Sequence, residues 1–286
     1  MAGSLARRVA VAAVAIPLAV GVVYAGGWIL AATLALLGVL GARELYGLAA
    51  HRGTQAFVGV GCAGAAGFPL LTNLYFGLSP VAVDPWILLS PMLWLLTLLG
   101  VATVRRTPES GPLAGVAVTV LGAVYCGGLP AALLFLRHPA AAPGAGAATA
   151  LALLPLVTTW ICDTCAMAGG AAFGGPRLAP TLSPGKTWSG AVAGVLGAVA
   201  AAPLWGLLVL RPAGLAVPLG QLLACGAFVG TAGQLGDLAE SLLKREASVK
   251  DSGGLFPGHG GVLDRLDSLY WSVPGTAAIL ALGRVL

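Results

Sequence analysis

Asp237, Glu240, Ser241 and Lys244 stand at i, i+3, i+4 and i+7, a spacing that places all four on one face of a helix, acid first and base last. Asp264 and Asp267 repeat the i, i+3 relation 27 residues further on. Between the two carboxylate pairs lie Arg245, Lys250 and His259, with Arg265 just after Asp264, in a loop rich in glycine: Lys250-Asp251-Ser252-Gly253-Gly254, then Pro257-Gly258-His259-Gly260-Gly261. Glycine permits close backbone approach to an anion. Carboxylates surrounded by phosphate-binding cations suit Mg²⁺ chemistry, because that ion is held by one or two carboxylates together with substrate phosphates. Asp237 and Asp264 are expected as the main ligands, with Asp163 and Asp267 as their partners.

A second polar segment supplies further groups. Leu182-Ser183-Pro184-Gly185-Lys186-Thr187 offers Lys186 as a point charge, with the Ser183 and Thr187 hydroxyls as donors, just before a helix is expected to begin. Gly185-Lys186-Thr187 is not a Walker loop, since the glycine required five positions earlier is Pro180. Cys162 and Cys165 form a C-x-x-C, but no second pair of cysteines or histidines completes a zinc site, so they read as small packing residues.

These residues sit in a chain that is otherwise lipid-like. Of 286 residues 58% are hydrophobic and only 9% charged, yet ten of the 25 charges fall between Asp237 and Asp267. Ionisable groups within or beside spans are costly and mark function. About 20 apolar residues cross a bilayer as a helix, and nine such spans are expected. They are Val9–Tyr24, Trp28–Ala49, Ala56–Phe76, Pro85–Val104, Pro112–Leu136, Ala147–Met167, Trp188–Leu210, Ala216–Leu235 and Leu266–Val285. The runs are too long for strands and lack alternation. The fold class is therefore all-α, a polytopic membrane protein forming a single domain over 1–286, with N-terminal spans in 1–146 and the catalytic part in 147–286. Arg7-Arg8 before an apolar stretch has an export signal as its alternative reading, but the eight spans that follow favour an uncleaved first helix.

With the N-terminus inside, 12 of the 15 Lys and Arg residues fall on the cytoplasmic side and only Arg137, Arg211 and Arg284 on the other. Asp237 and Asp264 then lie at the cytoplasmic ends of adjacent antiparallel helices and can converge. The net charge of +5 is a topology signal with anion binding on top. No basic stripe with interleaved aromatics is present, which excludes nucleic acid as a partner.

The loop resembles the signature of the phosphatidate cytidylyltransferases, or CDP-diacylglycerol synthases. Here it reads Ser241-x-Leu243-Lys244-Arg245, Lys250-Asp251-x-Gly253, and Phe256-Pro257-x-His259-Gly260-Gly261-Val262-x-Asp264-Arg265-Leu266-Asp267. Gly236-Asp237-Leu238, the Ser183–Thr187 loop and Glu44 beside Arg43 are similar too, and the likeness is strong over Trp160–Pro274 and weak before it. It departs from the family at Met167 and Ser189.

The resemblance implies that CTP and phosphatidic acid give CDP-diacylglycerol and pyrophosphate. It implies Mg²⁺, leaving a second cation open, and a homodimer in the bacterial cytoplasmic (inner) membrane with its site facing the cytoplasm. Lys244 and Lys250 join Asp237 and Asp264 as expected catalytic residues. Ser183, Lys186, Thr187, Ser241, Arg245, His259 and Arg265 are expected to bind substrate. The alternatives are a related CTP-dependent cytidylyltransferase or kinase acting on another lipid, or a transporter. Charge concentrated at one face, without internal repeats, favours an enzyme over a transporter, and the D-G-x-x-A-R motif of the CDP-alcohol phosphotransferases is absent.

Overall fold

The computed structural model describes residues 15–78, 85–140, 142–254 and 260–286. Its helices occupy all nine expected regions. They are α1 (Ala15–Ala25), α2 (Gly27–Ala50), α3 (Val58–Leu78), α4 (Pro85–Arg105), α5 (Pro112–Ala123), α6 (Leu129–Arg137), α7 (Ala145–Phe173), α8 (Trp188–Trp205), α9 (Leu219–Glu246), the short α10 (Leu263–Leu266) and α11 (Leu269–Leu282). The chain is an all-α polytopic membrane protein. Among the described residues, six segments are long and apolar enough to cross a bilayer: α2, Val58–Gly77, Pro112–Arg137, α7, Trp188–Leu210 and α9. The other three expected spans correspond to shorter described helices. Ala15–Ala25 and Leu89–Arg105 are 10–17 residues long, and α11 has 14.

Two spans are continued by π-helical turns rather than ended. Val124–Gly128 joins α5 to α6, and Gly206–Leu210 extends α8. Such turns absorb one extra residue without breaking the helix. Between α1 and α2 the chain turns at Gly26, whose φ of 60° favours glycine. Arg137 donates from Nε to the Val23 carbonyl (2.8 Å) and from a terminal guanidinium nitrogen to the Tyr24 carbonyl (2.9 Å), capping the end of α1. That accounts for one of the few cations expected on the outer side.

In lipid, helices associate through close van der Waals packing at small residues. The sequence supplies these where α7, α8 and α9 meet. A Cβ on Gly190 would come within 2.6 Å of the Ala166 carbonyl, and one on Gly226 within 2.6 Å of the Ala198 carbonyl. The backbones of the three helices are thus pressed together, which brings Asp163 and Asp237 to one end of the bundle.

Two sequence boundaries shift. The eighth span, expected to end at Leu235, continues to Glu246 as one helix, because its polar face is helical although not apolar. Residues expected only as a turn before α8 form a small antiparallel hairpin, β1 (Arg177–Ala179) with β2 (Ser183–Thr187), pairing Arg177 with Thr187 and Ala179 with Ser183.

Candidate active site

The hairpin and α9 put the first pair together. Lys186, on β2, places its ammonium 2.6 Å from Asp237 Oδ2, joining the two polar segments across the bundle end. Thr187 directs its hydroxyl inward: it caps α8 by accepting from the Gly190 amide (3.1 Å) and is buried. Ser183 is half-buried at the start of β2, and next to it the Leu182 carbonyl accepts from Arg245 Nε (3.4 Å). On α9, the Ser241 hydroxyl lies 3.5 Å from Asp237 Oδ1, one turn away, as the helical face requires.

Asp267 and Asp163 complete this side. A Cβ on Gly236 would meet the Asp267 carbonyl at 2.6 Å, so glycine there lets the foot of the last helix rest on α9 beside Asp237. Asp237, Asp267 and Asp163 are near enough to act electrostatically on one another, with Lys186 among them. Asp267 Oδ1 also accepts from the Ser268 amide at 2.6 Å.

A second centre forms around Lys244. Its ammonium lies 2.6 Å from Asp264 Oδ1 and 3.1 Å from Glu240 Oε2. Glu240 is 1% exposed, and its other oxygen, Oε1, is buried without a hydrogen-bond partner among the described residues. Asp264 and Asp237 were expected to converge on one another, but each faces a different lysine. Asp264 Oδ2 accepts from the Ser252 amide (2.9 Å), the Ser252 hydroxyl (2.8 Å) and the Gly261 amide (2.8 Å), and so draws the two ends of the glycine loop together.

Glu44, late in α2, binds the same loop from the other side. Its carboxylate accepts from the Ser252 hydroxyl (3.0 Å), the Val262 amide (3.0 Å) and the Leu263 amide (2.9 Å). The resemblance takes in Glu44 beside Arg43, and the fold shows this carboxylate holding the loop. Lys250 and Arg265 are exposed on the loop and on α10. His259 lies outside the described residues.

Burial works against ionisation of Asp264, but the Lys244 ammonium and the Gly261 and Ser252 donors outweigh it and lower its carboxyl to about 2. A carboxylate whose folded pKa is depressed contributes stability above the unfolded value of about 4, and that stability is lost as pH falls through the folded value. Thermal unfolding of the parent and of Asp264→Asn in detergent should therefore differ by a constant amount above about pH 5, with the gap narrowing between about pH 4 and 2. A gap independent of pH would show that Lys244 does not hold Asp264 in this way.

The donor set is all oxygen, which is the chemistry Mg²⁺ selects. Among the described residues no three His, Cys, Asp or Glu side chains close on a common point. The arrangement is instead a row of carboxylates, from Asp163 through Asp237, Asp267 and Glu240 to Asp264, with Lys186 and Lys244 set into it. Such a row can hold divalent cations and turn ammonium groups toward a polyanion.

The chain is similar in sequence to known proteins. The phosphatidate cytidylyltransferase of Brucella suis biovar 1 (strain 1330) is 52% identical over 110 residues, 38% of this chain and 39% of that protein. The matched part thus spans about two fifths of that relative's length. Phosphatidate cytidylyltransferase 4, chloroplastic, of Arabidopsis thaliana is 35% identical over 295 residues, 93% of this chain and 71% of its own length. The phosphatidate cytidylyltransferase of Bacillus subtilis (strain 168) is 42% identical over 126 residues, 44% of this chain and 45% of that protein. The model of the cytidylyltransferase family matches residues 6–282, which takes in both lysine centres and the helix that carries Glu44, and the chain belongs to that family.

Proposed function

We propose that this chain is a phosphatidate cytidylyltransferase. It transfers the cytidylyl group of CTP to phosphatidic acid, giving CDP-diacylglycerol and pyrophosphate, at the cytoplasmic face of a bacterial inner membrane. The observation that carries this reading is the ion pair of Lys186 with Asp237 beside that of Lys244 with Asp264, two cation centres from distant segments at one end of an apolar bundle. One substrate cannot leave the bilayer and the other cannot enter it, so their reaction needs charged groups at that interface.

A phosphate oxygen of the lipid attacks the α-phosphorus of CTP. The new phosphorus–oxygen bond forms as the bond to the β-phosphate oxygen breaks, and pyrophosphate departs with the electron pair. A phosphomonoester has a second pKa of about 6, so the attacking oxygen is already anionic and no strong base is needed. The difficulty lies in bringing polyanions together, which is a matter of positioning and electrostatics. Lys186, Lys244, Arg245, Lys250 and Arg265 hold the phosphates, with Ser183 and Ser241 as donors. Asp237 and Asp264, supported by Asp163 and Asp267, are the carboxylates that would hold Mg²⁺, and Glu240 Oε1, which has no hydrogen-bond partner among the described residues, would add to that donor set. Bound there, the ion would supply charge neutralisation for the phosphates and the leaving pyrophosphate. We take a homodimer as the working unit, as the resemblance implies.

Purified protein in detergent should convert CTP and phosphatidic acid to CDP-lipid and pyrophosphate, and should stop when a chelator removes Mg²⁺. Turnover of a polyprenyl phosphate in place of phosphatidic acid would overturn the substrate assignment. Facing is read separately with Gly254→Cys, where an added side chain meets nothing within 4 Å, in a background without the five native cysteines. An impermeant thiol reagent should label it from the cytoplasmic side only, and more slowly with CTP and Mg²⁺ present. Labelling from the outer side would count against a cytoplasmic site.

A further inference from the structure

A cavity of about 340 Å³ opens beside the Glu44 latch, on the face of α2 that carries Leu40, Arg43, Gly47, Leu48 and His51, with Val249 across from it. The α2 residues repeat at three and four positions, so they form one stripe about 16 Å long from Leu40 to His51. Its middle is Gly47, one turn from Arg43 on one side and from His51 on the other. A Cβ on Gly47 would meet nothing within 4 Å, so the missing side chain is what leaves the space between the two donors. Arg43 lies about 10 Å before the end of a helix that is apolar enough to span the bilayer. Among the described residues it makes no ion pair.

We propose that this cavity seats the phosphate of the lipid substrate. The inference rests on the functional reading above and adds where the lipid enters: a phosphomonoester on a diacylglycerol, with its phosphate over Gly47 between Arg43 and His51. The Arg43 guanidinium supplies forked donors suited to phosphate, and His51 supplies a ring N–H in either protonation state. Leu40 continues the stripe toward the apolar part of the span, where acyl chains must remain. Two carboxylates also face the cavity. The oxygens of Glu44 are taken by Ser252, Val262 and Leu263, and Asp251 is exposed on the loop that leads to Ser252. Ser252 lines the cavity and bonds both Glu44 and Asp264, so a phosphate seated there lies one side chain from the Lys244 centre. The competing explanation of Arg43 is a cation reaching for the interface by its long stem. That explanation gives Gly47 no part.

The experiment fills the cavity with Gly47→Leu, pairs it with Arg43→Gln and Arg43→Lys, and measures two things on purified protein. Binding without CTP uses dioctanoyl phosphatidic acid, with dioctanoylglycerol and inorganic phosphate as separate arms. Kinetics give KM for each substrate. The parent should bind the phosphate-headed lipid and not the neutral one, and inorganic phosphate at equal concentration should not displace it. Arg43→Gln should weaken lipid binding and raise its KM by about tenfold, the loss of one charge-assisted hydrogen bond, and Gly47→Leu should do at least as much by filling the space, with KM for CTP within about twofold in both. Arg43→Lys should recover part of the loss. Unchanged lipid binding and KM in Gly47→Leu, or displacement by free phosphate, would overturn the assignment. A parent that binds the lipid in this cavity but never turns it over with CTP would sink the functional reading and leave the cavity standing.

Discussion

Replacing Lys244 by Met should unfold much of the site as well as stop turnover. Its side chain is 14% exposed between Glu240 at 1% and Asp264 at 7%, so removing the ammonium leaves two buried carboxylates without a counter-charge. Breaking a buried pair in this way costs about 3–5 kcal/mol. Lys186→Met is the contrast. Lys186 and Asp237 are 25% and 35% exposed, a setting in which an ion pair contributes about 0–1 kcal/mol to stability. It should nevertheless lower turnover by roughly 10²–10³-fold, because it removes a cation from the developing pyrophosphate. Denaturant or thermal unfolding in detergent, alongside the CTP-to-CDP-lipid assay, separates the two effects. Normal kinetics for both substrates in Lys186→Met would mean that the hairpin and the glycine loop do not serve one site.

Asp237→Asn and Asp264→Asn should each abolish turnover, and for different reasons. Asp237 stands near Asp163 and Asp267 but also pairs with Lys186 at 2.6 Å in a partly exposed setting, so neutralising it should change the stability of the fold by no more than about 1 kcal/mol. Asp264 gathers Lys244, Ser252 and Gly261, so its neutralisation should also loosen the loop and speed thiol labelling at Gly254→Cys. Substantial activity in either variant at saturating Mg²⁺ would remove that residue from the cation-holding set.

Much of this was legible in residue types and spacing. The ladder from Asp237 to Lys244 announced its own helical face, and α9 places Ser241 by Asp237 and Lys244 by Glu240 as the period demands. The partnership of the Lys186 segment with the Asp237 segment followed from the number of cations that phosphates need. Partner choice within the cluster was not legible. Whether Asp264 faces Asp237 or Lys244 depends on where the loop closes, and that is set by Ser252, Gly261 and Glu44 rather than by the sequence interval. The hairpin was hidden because β1 and β2 are only three and five residues long. Hydropathy ends at Leu235, but the helical face read from Asp237 to Lys244 continues the same helix, and α9 runs unbroken to Glu246.

The three bonds to Glu44 tie residues 208, 218 and 219 positions apart, and this bears on how the protein is made. Synthesis delivers α2 to the membrane long before the ribosome reaches Ser252, so for most of translation the Glu44 carboxylate waits without its loop. Only when the final helices have inserted can Ser252, Val262 and Leu263 reach it. A nascent chain released early would carry Lys186, Asp237 and Lys244 yet lack the anchored loop. Such a chain would lack the Glu44 bonds that hold the loop, so the site is completed only by the part of the chain that is made late.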